Sequence, residues 1–139
     1  MLVEEVMTPR VVMVDVDATA ADAAEIMKKE DVGWLPVTRD HTVTGVVTDR
    51  DLAVRVLAEG RDPGATPVRD VMSPAPVALE QTATAEEAAK GMEEKKVRRL
   101  LITDGDGRPT GALSLGDLAA RGHRDELSGA VLERVCSAP

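Results

Sequence analysis

The chain is almost without aromatic side chains: Trp34 stands alone among 139 residues, with no Phe and no Tyr. Proteins that bind single-stranded nucleic acid stack bases on aromatic platforms, so that class is set aside. The shortage of cations points the same way. With 17 Lys and Arg against 25 Asp and Glu the formal charge is −8, whereas phosphate neutralisation needs the opposite balance. A single cysteine, Cys136, excludes an internal disulfide framework and fits a reducing compartment. No apolar run approaches the roughly 18 residues of a membrane span. Met1-Leu2-Val3-Glu4-Glu5 lacks the basic start and apolar stretch of a signal peptide. The expectation is a cytoplasmic protein with neither nucleic acid nor membrane as partner. No Ser/His/Asp or Cys/His set emerges, and neither His41 nor His123 has a companion at metal-ligand spacing. No enzyme and no metal site are therefore expected.

What remains is a core of Val, Leu, Ile, Met and many Ala, at 43% hydrophobic and 30% charged residues, the balance of a soluble globular chain. Small Ala-rich faces leave less buried area per residue, which favours further burial through self-association. The strongest internal signal is a duplication. Val3-Glu4-Glu5-Val6-Met7-Thr8-Pro9 returns as Val68-Arg69-Asp70-Val71-Met72-Ser73-Pro74, a shift of 65 positions from Met7 to Met72. Thr19/Thr84, Ala20/Ala85, Met27/Met92 and Leu35/Leu100 keep that register. After one inserted residue the shift is 66, aligning Gly45/Gly111, Thr48/Ser114, Asp51/Asp117 and Arg55/Arg121. Two such units are expected to pack about a pseudo-two-fold axis, which creates paired clefts.

Each repeat reads as β-α-β-β-α. In the first, β-branched Val11 to Val16 predicts a strand. Thr19 with Asp22 forms a capping box before the stripe Ala20, Ala23, Ala24 and Met27, and Gly33 is expected to end that helical region. Leu35 to Thr38 and Val43 to Thr48 are strands about a turn at Asp40-His41, and Asp51 to Ala58 is a helix stopped at Gly60. The second repeat copies this with the box Thr84/Glu87, strands Leu100 to Thr103 and Thr110 to Ser114 about the turn Asp104 to Gly107, and a helix from Asp117. The fold class is α+β (α/β-like). The expected boundaries are 1–59 for the first repeat, 60–67 for a linker rich in turn formers, 68–121 for the second repeat, and 122–139 for a tail. Within that tail, Glu126 to Val135 could form a last helix.

The most specific element is Gly45-Val46-Val47-Thr48-Asp49-Arg50-Asp51, matched by Gly111-Ala112-Leu113-Ser114-Leu115-Gly116-Asp117. A strand ends in a hydroxyl residue, and an acid follows three positions later. Helix capping accounts for the hydroxyl and the acid. It does not account for a glycine three residues before the hydroxyl in both copies. With the repeated Val-Met-Thr/Ser-Pro opening, the pattern resembles the CBS domain over residues 1 to about 121. The chain is similar to a CBS pair, or Bateman module, of the small single-module type that includes hypoxic response protein.

The resemblance implies a ligand and no cofactor. CBS pairs commonly take AMP, ADP, ATP or S-adenosylmethionine in the cleft between repeats. Asp117 with Ser114, and Asp51 with Thr48, become ribose-binding candidates, since a carboxylate can accept hydrogen bonds from both ribose hydroxyls. Arg98 and Arg99 become phosphate candidates, where the first repeat has Gly33-Trp34 and supplies no charge. Adenine would lie between Val12, Val46 and Val47 in one copy, and Val77, Ala112 and Leu113 in the other. The alternative for the arginines is a solvated pair answering Glu93 and Glu94, and Trp34 reads as a packing or interface residue. The resemblance implies a homodimer built through helices that signals to an unknown effector protein. The alternative is a ligand-free structural or protein-interaction homodimer module.

Overall fold

The computed structural model describes residues 1–121, so His123, the helix expected over Glu126 to Val135, and Cys136 lie outside the described residues. Two compact units are present, and neither is a contiguous repeat: one is Val12–Pro76, the other joins Met1–Val11 to the chain from Val77 onward. We call them the Asp51 unit and the Asp117 unit. Each therefore holds the opening Val-Met-Thr/Ser-Pro segment of one repeat against the strands and helices of the other.

In the Asp51 unit, β1 (Val14–Asp15), α1 (Ala20–Glu30), β2 (Trp34–Arg39), β3 (Thr42–Thr48), α2 (Asp49–Asp51) and β4 (Ser73–Pro74) follow in order. The sheet runs β1-β2-β3-β4. β1 is parallel to β2 and the other pairs are antiparallel. Of the strand expected over Val11 to Val16, Val14 and Asp15 pair in the ladder with Val37 and Thr38, and the Val16 N–H donates to the Thr38 carbonyl at 2.9 Å. The helix begins at Asp49, earlier than expected, and continues beyond Asp51 as a π-helix over Leu52–Leu57. There the Ala58 N–H reaches the Ala53 carbonyl five residues back, at 2.9 Å. Val14, Val16, Ala23, Met27, Leu35, Val37, Val47 and Val68 form the core.

The Asp117 unit contains β5 (Ala78–Glu80), α3 (Ala85–Lys95), β6 (Arg99–Thr103), β7 (Pro109–Ser114) and α4 (Leu115–Arg121), with sheet order β5-β6-β7. Thr8 takes the place that Ser73 has in the other sheet. Its N–H donates to the Ala112 carbonyl at 2.9 Å and its carbonyl accepts from Ala112 at 3.1 Å. The core gathers Val3 and Val6 of the opening segment with Ala85, Ala88, Met92, Leu100, Ile102 and Leu113. Both repeats thus show the β-α-β-β-α order of an α+β fold.

The helix starts follow the sequence closely. Thr19 accepts from the Asp22 N–H at 3.1 Å, and Asp22 returns the bond to the Thr19 N–H at 3.0 Å. Thr84 accepts from the Glu87 N–H at 3.1 Å, but that box is half-formed: Glu87, one methylene longer, accepts from the Thr84 hydroxyl at 3.3 Å. The helix ends differ from expectation. α1 stops before Asp31 (φ 54°) and α3 before Lys96 (φ 54°), both left-handed, so Gly33 is not the stop. The N–H groups of Val32 and Val97 then return to the Met27 and Met92 carbonyls and satisfy the last turn.

Candidate functional site

In the Asp117 unit, Ser114 ends β7 in extended conformation and α4 starts at Leu115. The Ser114 hydroxyl accepts from the Asp117 N–H at 3.0 Å, and Asp117 Oδ2 accepts from the Ser114 N–H at 2.9 Å. This reciprocal cap fixes the carboxylate at the strand-to-helix corner. Among the described residues no side chain donates to Asp117, and Oδ1 accepts from none of them. Arg99 lies directly across from Ser114 in the β6–β7 ladder. The Arg98 carbonyl accepts from the Leu115 N–H at 2.8 Å. The backbone thereby sets both arginines beside the start of α4. Both are exposed, and neither is in an ion pair among the described residues. Glu94 pairs instead with Lys90, at 3.9 Å.

The Asp51 unit repeats the cap. Asp51 Oδ2 accepts from the Thr48 N–H at 2.9 Å, and the Thr48 hydroxyl accepts from the Asp51 N–H at 3.0 Å. Its surroundings are different. The Ser73 hydroxyl donates to Oδ1 at 3.0 Å and also lies 3.3 Å from Oδ2, and Arg55 Nε stands 3.8 Å from Oδ1. Asp51 is only 8% exposed. Ser73 and Arg55 were not singled out as site residues from sequence. Their signals were present, since Ser73 aligns with Thr8 and Arg55 follows Asp51 by one helical turn.

The glycine that capping left unexplained has a structural reason. A Cβ on Gly45 would stand 2.6 Å from Met72 Sδ and 2.8 Å from the Ser73 carbonyl oxygen. A Cβ on Gly111 would stand 2.5 Å from Met7 Sδ and 2.7 Å from the Thr8 carbonyl oxygen. The opening segment of one repeat lies so close to β3 or β7 of the other that no side chain fits. The two repeated motifs are therefore halves of one packing arrangement.

The proposed adenine walls divide by strand alternation. Val47 and Leu113 are 0% exposed and belong to the cores, which removes them from any ligand surface. Ala112, Val12 and Val77 remain half-buried, and Val46 is 8% exposed outside the core clusters. Trp34, across from Thr48 in the ladder, is half-buried. Met27 and Met92 are buried in the cores, with Met7 and Met72 packed against them. Among the described residues no three His, Cys, Asp or Glu side chains could hold a metal ion together. No helix there is long and apolar enough to cross a membrane.

Comparison with known proteins agrees with this architecture. CBS domain YhcV of Bacillus subtilis is 38% identical over 133 residues, covering 96% of this chain and 94% of YhcV. Hypoxic response protein 1 of Mycobacterium tuberculosis is 29% identical over 116 residues, 83% of this chain and 80% of that protein. The crystal structure of CBSX2, a protein of Arabidopsis thaliana, in complex with AMP superposes with a TM-score of 0.72 at 30% identity. That match covers 90% of this chain and 98% of the CBSX2 chain. The CBS domain profile matches residues 3–58 and again 68–123. The chain belongs to the CBS domain family, with two CBS domains.

Proposed function

We propose that this protein is a cytoplasmic regulatory module that binds an adenosine-containing ligand (AMP, ADP, ATP or S-adenosylmethionine) through the Asp117 unit and signals to a separate effector protein. The observation that carries the reading is that, among the described residues, Asp117 Oδ1 receives no donor and the two neighbouring arginines are in no ion pair. Asp117 Oδ1 would receive the ribose hydroxyls, with Ser114 holding the carboxylate in place. Arg98 and Arg99 would receive phosphate, a task that suits their planar donor forks. Val77 and Ala112 would offer adenine an aliphatic surface. CBS pairs are regulatory, and CBSX2 has been crystallised with AMP, which supports this ligand class. A ligand can shift such a module only through its different affinity for two states.

The test is titration calorimetry, with thermal melts, of AMP, ATP and S-adenosylmethionine. Ligand at a hundred times Kd stabilises by about 2.7 kcal/mol, a readily measured shift. Charge-assisted hydrogen bonds contribute roughly 1.5–3 kcal/mol each, so Asp117→Asn should weaken binding by about tenfold or more. The amide still accepts from the Ser114 N–H, so the cap survives. Unchanged affinity in Asp117→Asn sinks the site. No melting shift with any of the three at millimolar concentration sinks the ligand reading.

A homodimer through helices is part of the proposal. α1 and the π-helix border an apolar groove of about 250 Å³ lined by Ala20, Ala24, Leu52, Ala53, Val56 and Leu57. Leu57 is 79% exposed there, and a second copy would cover it. Leu57→Glu should convert a dimer to a monomer in light scattering. A dimer that persists at micromolar concentration argues against this face.

A further inference from the structure

We propose that Asp51 is a strut and not a ligand acceptor, so that each chain takes one adenosine nucleotide, at Asp117. The nucleotide half of this statement rests on the function proposed above; the strut does not. Two features close the Asp51 unit to a nucleotide. The first is occupancy: each oxygen of Asp51 already accepts a hydrogen bond. Oδ2 of Asp51 holds the Thr48 N–H, Oδ1 holds the Ser73 hydroxyl, and the Arg55 guanidinium stands 3.8 Å away. Arg55 Nη1 also donates to the Val71 and Met72 carbonyls, at 3.3 and 3.0 Å. Asp51, Arg55 and Ser73 together clamp the crossing segment onto the helix that Asp51 begins. A ribose hydroxyl would have to compete with the Ser73 hydroxyl for a carboxylate already buried.

The second feature is charge. Gly33 occupies the repeat position of Arg98, and Asp49 that of Leu115. Asp49 Oδ1 accepts from the Arg50 N–H at 2.8 Å, which turns its carboxylate over Gly33. Its Oδ2 stands only 2.5 Å from where a Gly33 Cβ would be. The Asp51 unit therefore presents a carboxylate where the other unit presents the root of a guanidinium side chain. Phosphate meets repulsion in the first case and a partner in the second. The Asp117 unit has no counterpart of the Ser73–carboxylate hydrogen bond among its described side chains. Thr8, in the place of Ser73, is exposed, and Leu115 is a core residue.

The experiment uses the full chain, with AMP as the probe. Calorimetry should give one AMP per chain. Ser73→Ala should keep that stoichiometry, with affinity within about twofold, while its melting temperature falls by roughly 3–6 °C for the lost bond to a carboxylate. Two AMP per chain, or loss of AMP binding in a Ser73→Ala protein that still melts cooperatively, overturns the proposal. Should the wild-type chain bind no AMP, the proposed ligand fails while the strut is still read by stability. A double-mutant cycle between Ser73→Ala and Asp51→Asn should then give non-additive losses in melting temperature. Additive losses would overturn the strut, and Asp51→Asn, isosteric and still a cap acceptor, keeps that cycle on a folded protein.

Discussion

Asp51 and Asp117 end the same seven-residue motif, close the same reciprocal cap with nearly identical distances, and face different neighbours. Around Asp51 the crossing segment brings a serine hydroxyl, and both carboxylate oxygens are engaged by the fold. Around Asp117 the crossing segment brings an exposed threonine that bonds through its backbone to Ala112, and among the described residues no group donates to the second carboxylate oxygen. The motif itself therefore does not decide whether a unit can hold a ligand. It builds a corner, and residues outside it set what that corner does. This is how a duplicated chain can keep two copies of a scaffold and differ in what each copy binds.

The features common to both units should behave alike when broken, and the glycines give the largest expected effect. Gly45→Ala and Gly111→Ala each place a methyl group under 3 Å from a backbone carbonyl oxygen and a methionine sulfur. The sulfur can swing aside, but the carbonyl is held in the sheet pairing. Each substitution should cost about 2–3 kcal/mol in urea unfolding, and by a similar amount in the two units. Gly91→Ala is the matched control. It lies within α3, where an added Cβ meets nothing within 4 Å, and should stabilise by roughly 0.4–1 kcal/mol. A loss below about 0.5 kcal/mol at either Gly45 or Gly111 would break the equivalence of the two corners.

Much of this was legible in the sequence, for physical reasons that differ by element. The duplication and the alanine stripes carried the element order, because helix period and repeat register are local properties. The caps at Thr19, Thr48 and Ser114 were readable because a hydroxyl and an acid three residues apart have few other uses. The pairing of opening segment with glycine was not readable. Val-Met-Thr/Ser-Pro and Gly-x-x-Thr/Ser-x-x-Asp each appear twice, and nothing local says that Met72 lies against Gly45 and Met7 against Gly111. Burial along a strand was misjudged for a related reason: Val47 and Leu113 look as available as Val46 and Ala112 until the pleat assigns them a face. The engagement of Asp51 Oδ1 likewise needs Ser73, which is 22 residues away and arrives only through the fold.

The smallest predicted effect concerns the hairpins, where the two units solve one problem with different chemistry. β2 and β3 are joined by Asp40 and His41, both left-handed at φ 49° and 67°, a turn set by its backbone conformation. β6 and β7 are joined over Asp104 to Arg108, and the Asp104 carboxylate accepts from the Arg108 and Asp106 N–H groups, both at 2.9 Å. The Arg108 N–H holds the Asp104 carboxyl below its ordinary range, opposed by desolvation, with smaller help from the Asp106 N–H and the Arg108 charge. A carboxyl depressed in the folded state adds stability that is complete above its unfolded value, about 3.9, and disappears as pH falls through the lower folded value. Acidification below about pH 4 should therefore loosen the second hairpin before the first. Amide exchange at Asp106 and Arg108 should accelerate relative to that at Thr42 and Val43, after correction for intrinsic exchange. Asp104→Asn should remove the pH dependence. Asp104 titrating at or above the ordinary carboxylate range, or equal acid sensitivity in the two hairpins, would remove this difference between the units.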